Sequence, residues 1–299
     1  MQMNKPDKIK LNPRKTFWKC GTCSCAMFHL LNHEFDNIKP AEEKASDMLA
    51  GGLAMKGYQC GMLWGGALAI GAESFNSINE VDKSVDNESF HKHNNKDEAT
   101  AAAVNASKHL IESFHQRAGT VNCRDITKVD WEKKSHFVIF FLKTVAQGFI
   151  FSPCFNFIEK WTPEAIEVAK KGLSEKTTQN QPCLSCASEV LRKMGASDEA
   201  SITVAGFAGG IGLSGNACGA LSAVIWYKML KWGEKNPGKT PSMFKNPEIK
   251  EILKVFYNET DSEMMCHKIS GRKFTTINEH TEYLQNGGCH ALLESLAQL

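Results

Sequence analysis

The chain repeats itself around a cysteine. Residues 50–61 read Ala-Gly-Gly-Leu-Ala-Met-Lys-Gly-Tyr-Gln-Cys-Gly, and residues 208–219 read Ala-Gly-Gly-Ile-Gly-Leu-Ser-Gly-Asn-Ala-Cys-Gly. Six of the twelve positions coincide without a gap: Ala50/Ala208, Gly51/Gly209, Gly52/Gly210, Gly57/Gly215, Cys60/Cys218 and Gly61/Gly219. An internal repeat constrains architecture before any local propensity does, because each copy builds the same unit. The 299 residues leave about 150 per copy, enough for a domain with its own core.

The remaining cysteines fall into two parallel series. Upstream, Cys25-Ala26 pairs with Cys186-Ala187. Downstream, Cys123-Arg-Asp-Ile-Thr pairs with Cys266-His-Lys-Ile-Ser, and Cys154 pairs with Cys289. The last two pairs rest on order and flanking residues, since the spacings are 63 and 31 residues against 48 and 23. Two quartets result: Cys25, Cys60, Cys123, Cys154 and Cys186, Cys218, Cys266, Cys289. Cys20, Cys23 and Cys183 stand outside them as auxiliary thiols, in Cys20-Gly-Thr-Cys23 and Cys183-Leu-Ser-Cys186.

Four thiolates are what an iron–sulfur cluster needs, and soft sulfur equally suits tetrahedral zinc. The quartet members lie dozens of residues apart, so they must converge through packed helices. Glycine beside such a site lets backbone approach and donate to sulfur. Four buried but inert cysteines would be the plain alternative. The Cys-x-x-Cys pairs suit either a redox dithiol or a metal hook.

This pattern resembles the family of redox-active proteins named for a C…GCAxxG…C…C signature, present twice over roughly 17–172 and 180–299. Gly206 to Gly212 and Cys218-Gly-Ala-Leu221 carry the nearer likeness, and Cys60-Gly-Met-Leu-Trp-Gly65 the looser one. A related domain occurs in split-Soret cytochromes c with an iron–sulfur site. The resemblance implies a cysteine-ligated cluster in each copy, taken as [2Fe–2S], with electron transfer or redox chemistry and an unidentified redox partner protein. It names no substrate and leaves enzymatic activity open. No Cys-x-x-Cys-His occurs, so haem is not expected. A metal-free thiol–disulfide oxidoreductase and a structural zinc protein are the alternatives.

Helix signals dominate. Asn246-Pro247-Glu248 precedes Ile249, Ile252, Leu253 and Phe256 at helical spacing, and Thr162-Pro163-Glu164 carries the same start chemistry. Residues 97–115 and 289–299 also read as helices, and strand alternation is scarce. The expectation is an all-α chain of two tandem cysteine-rich domains, 1–172 and 183–299, joined by a polar linker at 173–182 and packed as a pseudo-dimer. A polar insertion near 78–97 is expected to be a solvated loop.

Ile202 to Tyr227 has no charged residue and is long enough to cross a membrane. Its counterpart carries Lys56 mid-element, so a buried core helix is the expectation. On that reading Lys56 lies about one turn before Cys60. Net charge is +2, with no basic stripe for nucleic acid. The polar start of the chain lacks an apolar leader, and the cysteine count, eleven, is odd, so a reducing cytoplasm is expected. Gly210-Ile-Gly-Leu-Ser-Gly215 spells G-x-G-x-x-G, but a phosphate loop needs a βαβ unit. His29 and His33 share a helix face, and His267 and His290 follow quartet cysteines in the second copy only.

Overall fold

The structure, a computed structural model, describes residues 10–82, 91–146, 152–175 and 182–299. Among these, every regular element is helical. The first half contributes α1 (Pro13–Cys20), α2 (Cys23–Glu34), α3 (Pro40–Ala45), α4 (Gly61–Asp82), α5 (His91–Ala118), α6 (Cys123–Thr127), α7 (Lys134–Ala146) and α8 (Pro153–Ser174). The second contributes α9 (Cys186–Lys193), α10 (Asp198–Thr203), α11 (Gly219–Lys235), α12 (Pro247–Thr260), α13 (Cys266–Ile269), α14 (Ile277–Gln285) and α15 (His290–Ala297). The chain is all-α, and α2 to α8 recur in order as α9 to α15.

The halves pack by exchange of equivalent surfaces. Helix α4 lies against α10, and α11 lies against α3. The 3-10 turn Ala205–Phe207 packs on α4, and its counterpart Ser46–Leu49 packs on α11. Each contact becomes the other when the halves are swapped, which is the signature of an isologous, two-fold pairing. One core runs through both halves. Trp64, wholly buried, meets Phe207 edge-on at 4.8 Å across the junction. Burying a side chain of that size stabilises by about 2–3 kcal/mol. Backbone carbonyls also receive polar side chains from the other half: Gln59 Nε2 donates to Gly210 O at 2.8 Å, and Trp226 Nε1 to Glu42 O at 3.0 Å.

The local signals are those read from the sequence, with three corrections. Asn246 caps α12 as expected, its side chain accepting from the amides of Glu248 and Ile249, and Ile249, Ile252, Leu253 and Phe256 are buried. Thr162-Pro163, by contrast, does not start a helix but lies inside α8. Burial of Ile158, Trp161, Ala165 and Ala169 on one face carries that helix past the missing proline amide. Much of the expected loop at 78–97 is helix, since α4 runs to Asp82 and α5 starts at His91; residues 83–90 lie outside the described set. Asn, Asp, Lys and His weaken a helix only slightly, and the apolar runs they flank carry it on. The expected linker lies mostly outside the described residues as well, with Leu173 and Ser174 ending α8.

The third correction concerns the repeat itself. It is not a core helix but a left-handed turn between two helices. Gly51, Gly52, Leu53, Ala54 and Met55 all have positive φ, as do Gly209, Gly210, Ile211, Gly212 and Leu213. A left-handed turn costs roughly 1–2 kcal/mol per non-glycine residue, so tertiary contacts must hold it. They do: Gly57 N bonds Gly51 O at 2.9 Å, Gly215 N bonds Gly209 O at 2.8 Å, and Leu53 and Ile211 are wholly buried. A Cβ on Gly52 would stand 2.5 Å from Tyr58 N, and on Gly210 2.7 Å from Asn216 O. The long uncharged run is thereby split, and no helix among the described residues is long and apolar enough to cross a membrane.

Candidate functional site

The left-handed turn delivers a cysteine to a helix N-terminus, and a second cysteine is pinned beside it. In the first half Cys60 N donates to Val121 O at 2.8 Å and Cys123 N to Tyr58 O at 2.6 Å. In the second half Cys218 N donates to Met264 O at 2.9 Å and Cys266 N to Asn216 O at 2.6 Å. Isolated antiparallel bridges join Gln59 to Asn122 and Ala217 to Met265, the residues immediately before these cysteines. Thr127 and Ser270 also match, each hydroxyl donating to the carbonyl of its cysteine four residues back. Cys60 and Cys218 are therefore equivalent, and so are Cys123 and Cys266.

The upstream cysteine differs from the sequence reading. Thr22 caps α2 through the amide of Cys25, and Ser185 caps α9 through the amide of Ser188. Aligning the caps pairs Cys23, not Cys25, with Cys186. The surroundings agree: Gly51 N–H approaches the sulfur of Cys23, and its repeat partner Gly209 approaches that of Cys186. The thiols of Cys23 and Cys60 are hydrogen-bonded, and Cys23, Cys123 and Cys154 line one cavity. Cys25 faces away, two residues on and about 200° around the helix, and is hydrogen-bonded to Cys20 near Lys44 and Asp47. Cys183 is buried elsewhere, its amide donating to Asp97 at 3.0 Å.

In the second half Cys186, Cys218, Cys266 and Cys289 line a single cavity. Every cysteine gathered in either half stands at a helix N-terminus: Cys23 and Cys186 begin α2 and α9, Cys60 and Cys218 immediately precede α4 and α11, Cys123 and Cys266 begin α6 and α13, Cys154 is second in α8, and Cys289 caps α15. Convergent helix N-termini favour negative charge, as carried by thiolates. Desolvation opposes them. Burial pushes Cys123 and Cys218 up to about 12, and raises Cys154, Cys186, Cys266 and Cys289 as well. Cys23 is held below the ordinary thiol range by the hydrogen bond from Cys60, whose own thiol is raised by the same contact. All eleven cysteines are free thiols. Among the described residues, no three His, Cys, Asp or Glu side chains stand in a metal-holding arrangement.

Side chains that the sequence did not single out also reach the sulfurs. Trp131 lines the same cavity as Cys123 and tempers the rise of its thiol, and Tyr283 OH lies 3.7 Å from Cys289 Sγ. Nothing in the sequence pairs them with cysteines, because each comes from a segment with its own length in each half. The histidines have other roles: His267 Nδ1 is 2.7 Å from Gly215 O, His29 Nδ1 is 2.8 Å from Glu43 Oε2, and His290 points to solvent beside Glu294. His33 stays on the partly exposed face of α2. The G-x-G-x-x-G stretch holds no phosphate loop, since its amides bond within the left-handed turn and a Cβ on Gly212 would stand 2.4 Å from Lys108 N. Lys56 is in the turn rather than on a helix, with Nζ 2.5 Å from Glu132.

Compared with known proteins, the chain matches one family profile, described as "Putative redox-active protein (C_GCAxxG_C_C)", twice: over residues 21–168 and over 169–299. No curated protein and no solved structure matches it.

Proposed function

The chain belongs to the C_GCAxxG_C_C family, in two tandem copies, and from that premise we propose that it is a redox protein holding one iron–sulfur cluster per half, of the [2Fe–2S] type. The observation that carries the reading is the repeated convergence of four cysteines at helix N-termini: Cys23, Cys60, Cys123 and Cys154, then Cys186, Cys218, Cys266 and Cys289. The donor set fits such a group, being all sulfur: among the described residues no histidine or carboxylate lines the cavity of the first half, and His280 at the second turns its Nδ1 to Leu184 O. A bound cluster would supply one-electron storage. The residues' own parts are distinct. The helix N-termini offset the negative charge of the thiolates, and the Gly51 and Gly209 amides donate to Cys23 and Cys186. In the second half Phe274, Tyr283, Leu292 and Leu293 cover the thiols and keep water back, one of the factors that tune a cluster's potential. Tyr283 orients Cys289, and Trp131 stands beside Cys123 in the cavity wall.

A reducing cytoplasm would keep these thiols available to the cluster, and electrons would pass to and from a separate redox protein. The directly hydrogen-bonded pairs Cys20/Cys25 and Cys23/Cys60 favour a second reading, thiol–disulfide exchange without metal. Anaerobic purification followed by an absorption spectrum and iron, sulfide and zinc analysis separates the readings. One [2Fe–2S] cluster per half gives about four irons and four sulfides per chain. A colourless protein with trapped mixed disulfides would establish the exchange reading, and stoichiometric zinc a structural site.

A further inference from the structure

The two halves gather equivalent cysteines but enclose different space. The cavity at Cys186, Cys218, Cys266 and Cys289 has a volume of about 20 Å³, whereas the one against Cys23, Cys123 and Cys154 has about 360 Å³. The cause is visible in the segments after α6 and α13. In the second half Phe274 packs on His280 at 5.0 Å and on Tyr283 at 5.2 Å, and all three fold onto the thiols. In the first half the corresponding chain is longer, and its aromatics stand back as walls. Trp131 meets Phe140 at 5.2 Å, while Phe17 of α1, an element without counterpart, stacks on Phe155 at 4.4 Å. Whatever the thiols hold, the second half holds it without that extra room.

The first cavity is built like a ligand site. Its volume falls in the range of about 300–1,000 Å³ usual for small-molecule pockets. Its lining contains aromatic rings, methionines and thiols, and no charged side chain among the described residues. It also contains Ser152, only 2 % exposed, whose Oγ has no hydrogen-bond partner among the described residues. Ser152 precedes α8 at the capping position, yet its side chain makes no capping bond. A buried hydroxyl left unpaired calls for a partner, because its desolvation is otherwise uncompensated.

We propose that the first half binds a neutral, ring-containing small molecule with a single hydrogen-bonding group, its rings between the aromatic walls and its polar atom on Ser152 Oγ. Such a ligand lies against Cys23, Cys123 and Cys154, the position of a substrate for a redox centre there. A group bound on these thiols would take part of the room, so the binding is read together with the metal content of the same sample. The halves then divide the work: the open one meets the ligand, and the closed one does not.

The test is calorimetric titration of the full-length protein with 2-naphthol as probe. One binding equivalent per chain is expected. Met243→Trp, which fills the cavity from the second half's loop, abolishes binding. Ser152→Ala weakens it about two- to tenfold, the worth of one hydrogen bond. Without probe, Ser152→Ala leaves thermal stability unchanged or raises it, since the hydroxyl it removes is unpaired. Absence of saturable binding to wild type, or equal binding by a folded Met243→Trp variant, overturns the proposal. So does a Ser152→Ala variant that loses stability and keeps its affinity. Iron and sulfide content, measured on the same samples, reports separately on the cluster reading.

Discussion

Exchanging which cysteine is lost on α2 separates the cap-based register from the one read from the sequence. Cys23 and Cys25 are 8 % and 5 % exposed and sit two residues apart in the same first turn. At about 100° per residue they point to nearly opposite sides of the helix. Cys23→Ala and Cys25→Ala each remove one buried sulfur, so each costs folding on the order of 1 kcal/mol, the scale of deleting one methyl-sized group. Their effects on metal differ. A four-thiolate site binds its metal with about 10–16 kcal/mol, so one ligand carries about 3 kcal/mol. Cys23→Ala therefore weakens the first site roughly a hundred- to a thousandfold and removes it in a competing chelator. Bound iron falls by half, since Cys186, Cys218, Cys266 and Cys289 are untouched. Cys25→Ala keeps the full iron content. Iron and sulfide are assayed after gel filtration in a chelator, with circular dichroism to confirm that both variants are folded. Half the iron in Cys25→Ala, with full iron in Cys23→Ala, would refute the cap-based register.

The other predictions follow from packing and from the second thiol pair. Gly71→Ala lowers the melting temperature despite alanine's higher helix propensity, because its Cβ would stand 2.2 Å from Thr203 O and 2.6 Å from Ile202 O in the other half. Overpacking of that kind costs about 1–3 kcal/mol or more, and an unchanged or higher melting temperature contradicts the close approach of α4 and α10. Gln59→Leu removes one of the two side-chain donors to the Gly210 carbonyl, Ser214 Oγ being the other, and destabilises by about 0.5–1.5 kcal/mol in denaturant titration; a neutral result means that the turn does not need this cross-half bond. Cys20, half-buried and held below the ordinary thiol range by its hydrogen bond with Cys25, is alkylated first when the native protein is treated with limiting iodoacetamide at pH 7. Peptide mapping that finds another cysteine modified first removes the basis for treating Cys20 and Cys25 as a reactive pair.

What the sequence made legible is what repeats in it. The glycine–cysteine match placed Cys60 and Cys218 at equivalent points, and the helical spacing at Ile249, Ile252, Leu253 and Phe256 gave a real buried face. The cap-based register departs from the sequence reading at Cys25, which weighed a shared Cys-Ala dipeptide above the capping residue. Thr22 and Ser185 each stand directly before a cysteine, and that signal would have selected Cys23. The left-handed turn was hidden for a physical reason. Leu53, Ala54, Met55, Ile211 and Leu213 disfavour positive φ when isolated, and only packing against the rest of the molecule holds them there. Pro163 misled in the opposite sense, because its start signal is overridden by the buried face of α8.

The contrast between the cavities was illegible because it depends on where aromatic side chains land after segments of different length. That contrast also follows from joining the copies in one chain. Two identical subunits about a two-fold axis must present identical sites, since any change in one occurs in both. Covalent duplication removes that constraint while keeping the exchanged contacts of α4 with α10 and α11 with α3. The shared core then needs both halves to keep their turns and helix starts, but not the segments that cover the thiols. In the first half that cover is drawn back behind Trp131 and Phe140; in the second, Phe274 and Tyr283 close over the cysteines. The invariant part of the repeat is thus the part that sets cysteine positions, and the divergent part decides what reaches them.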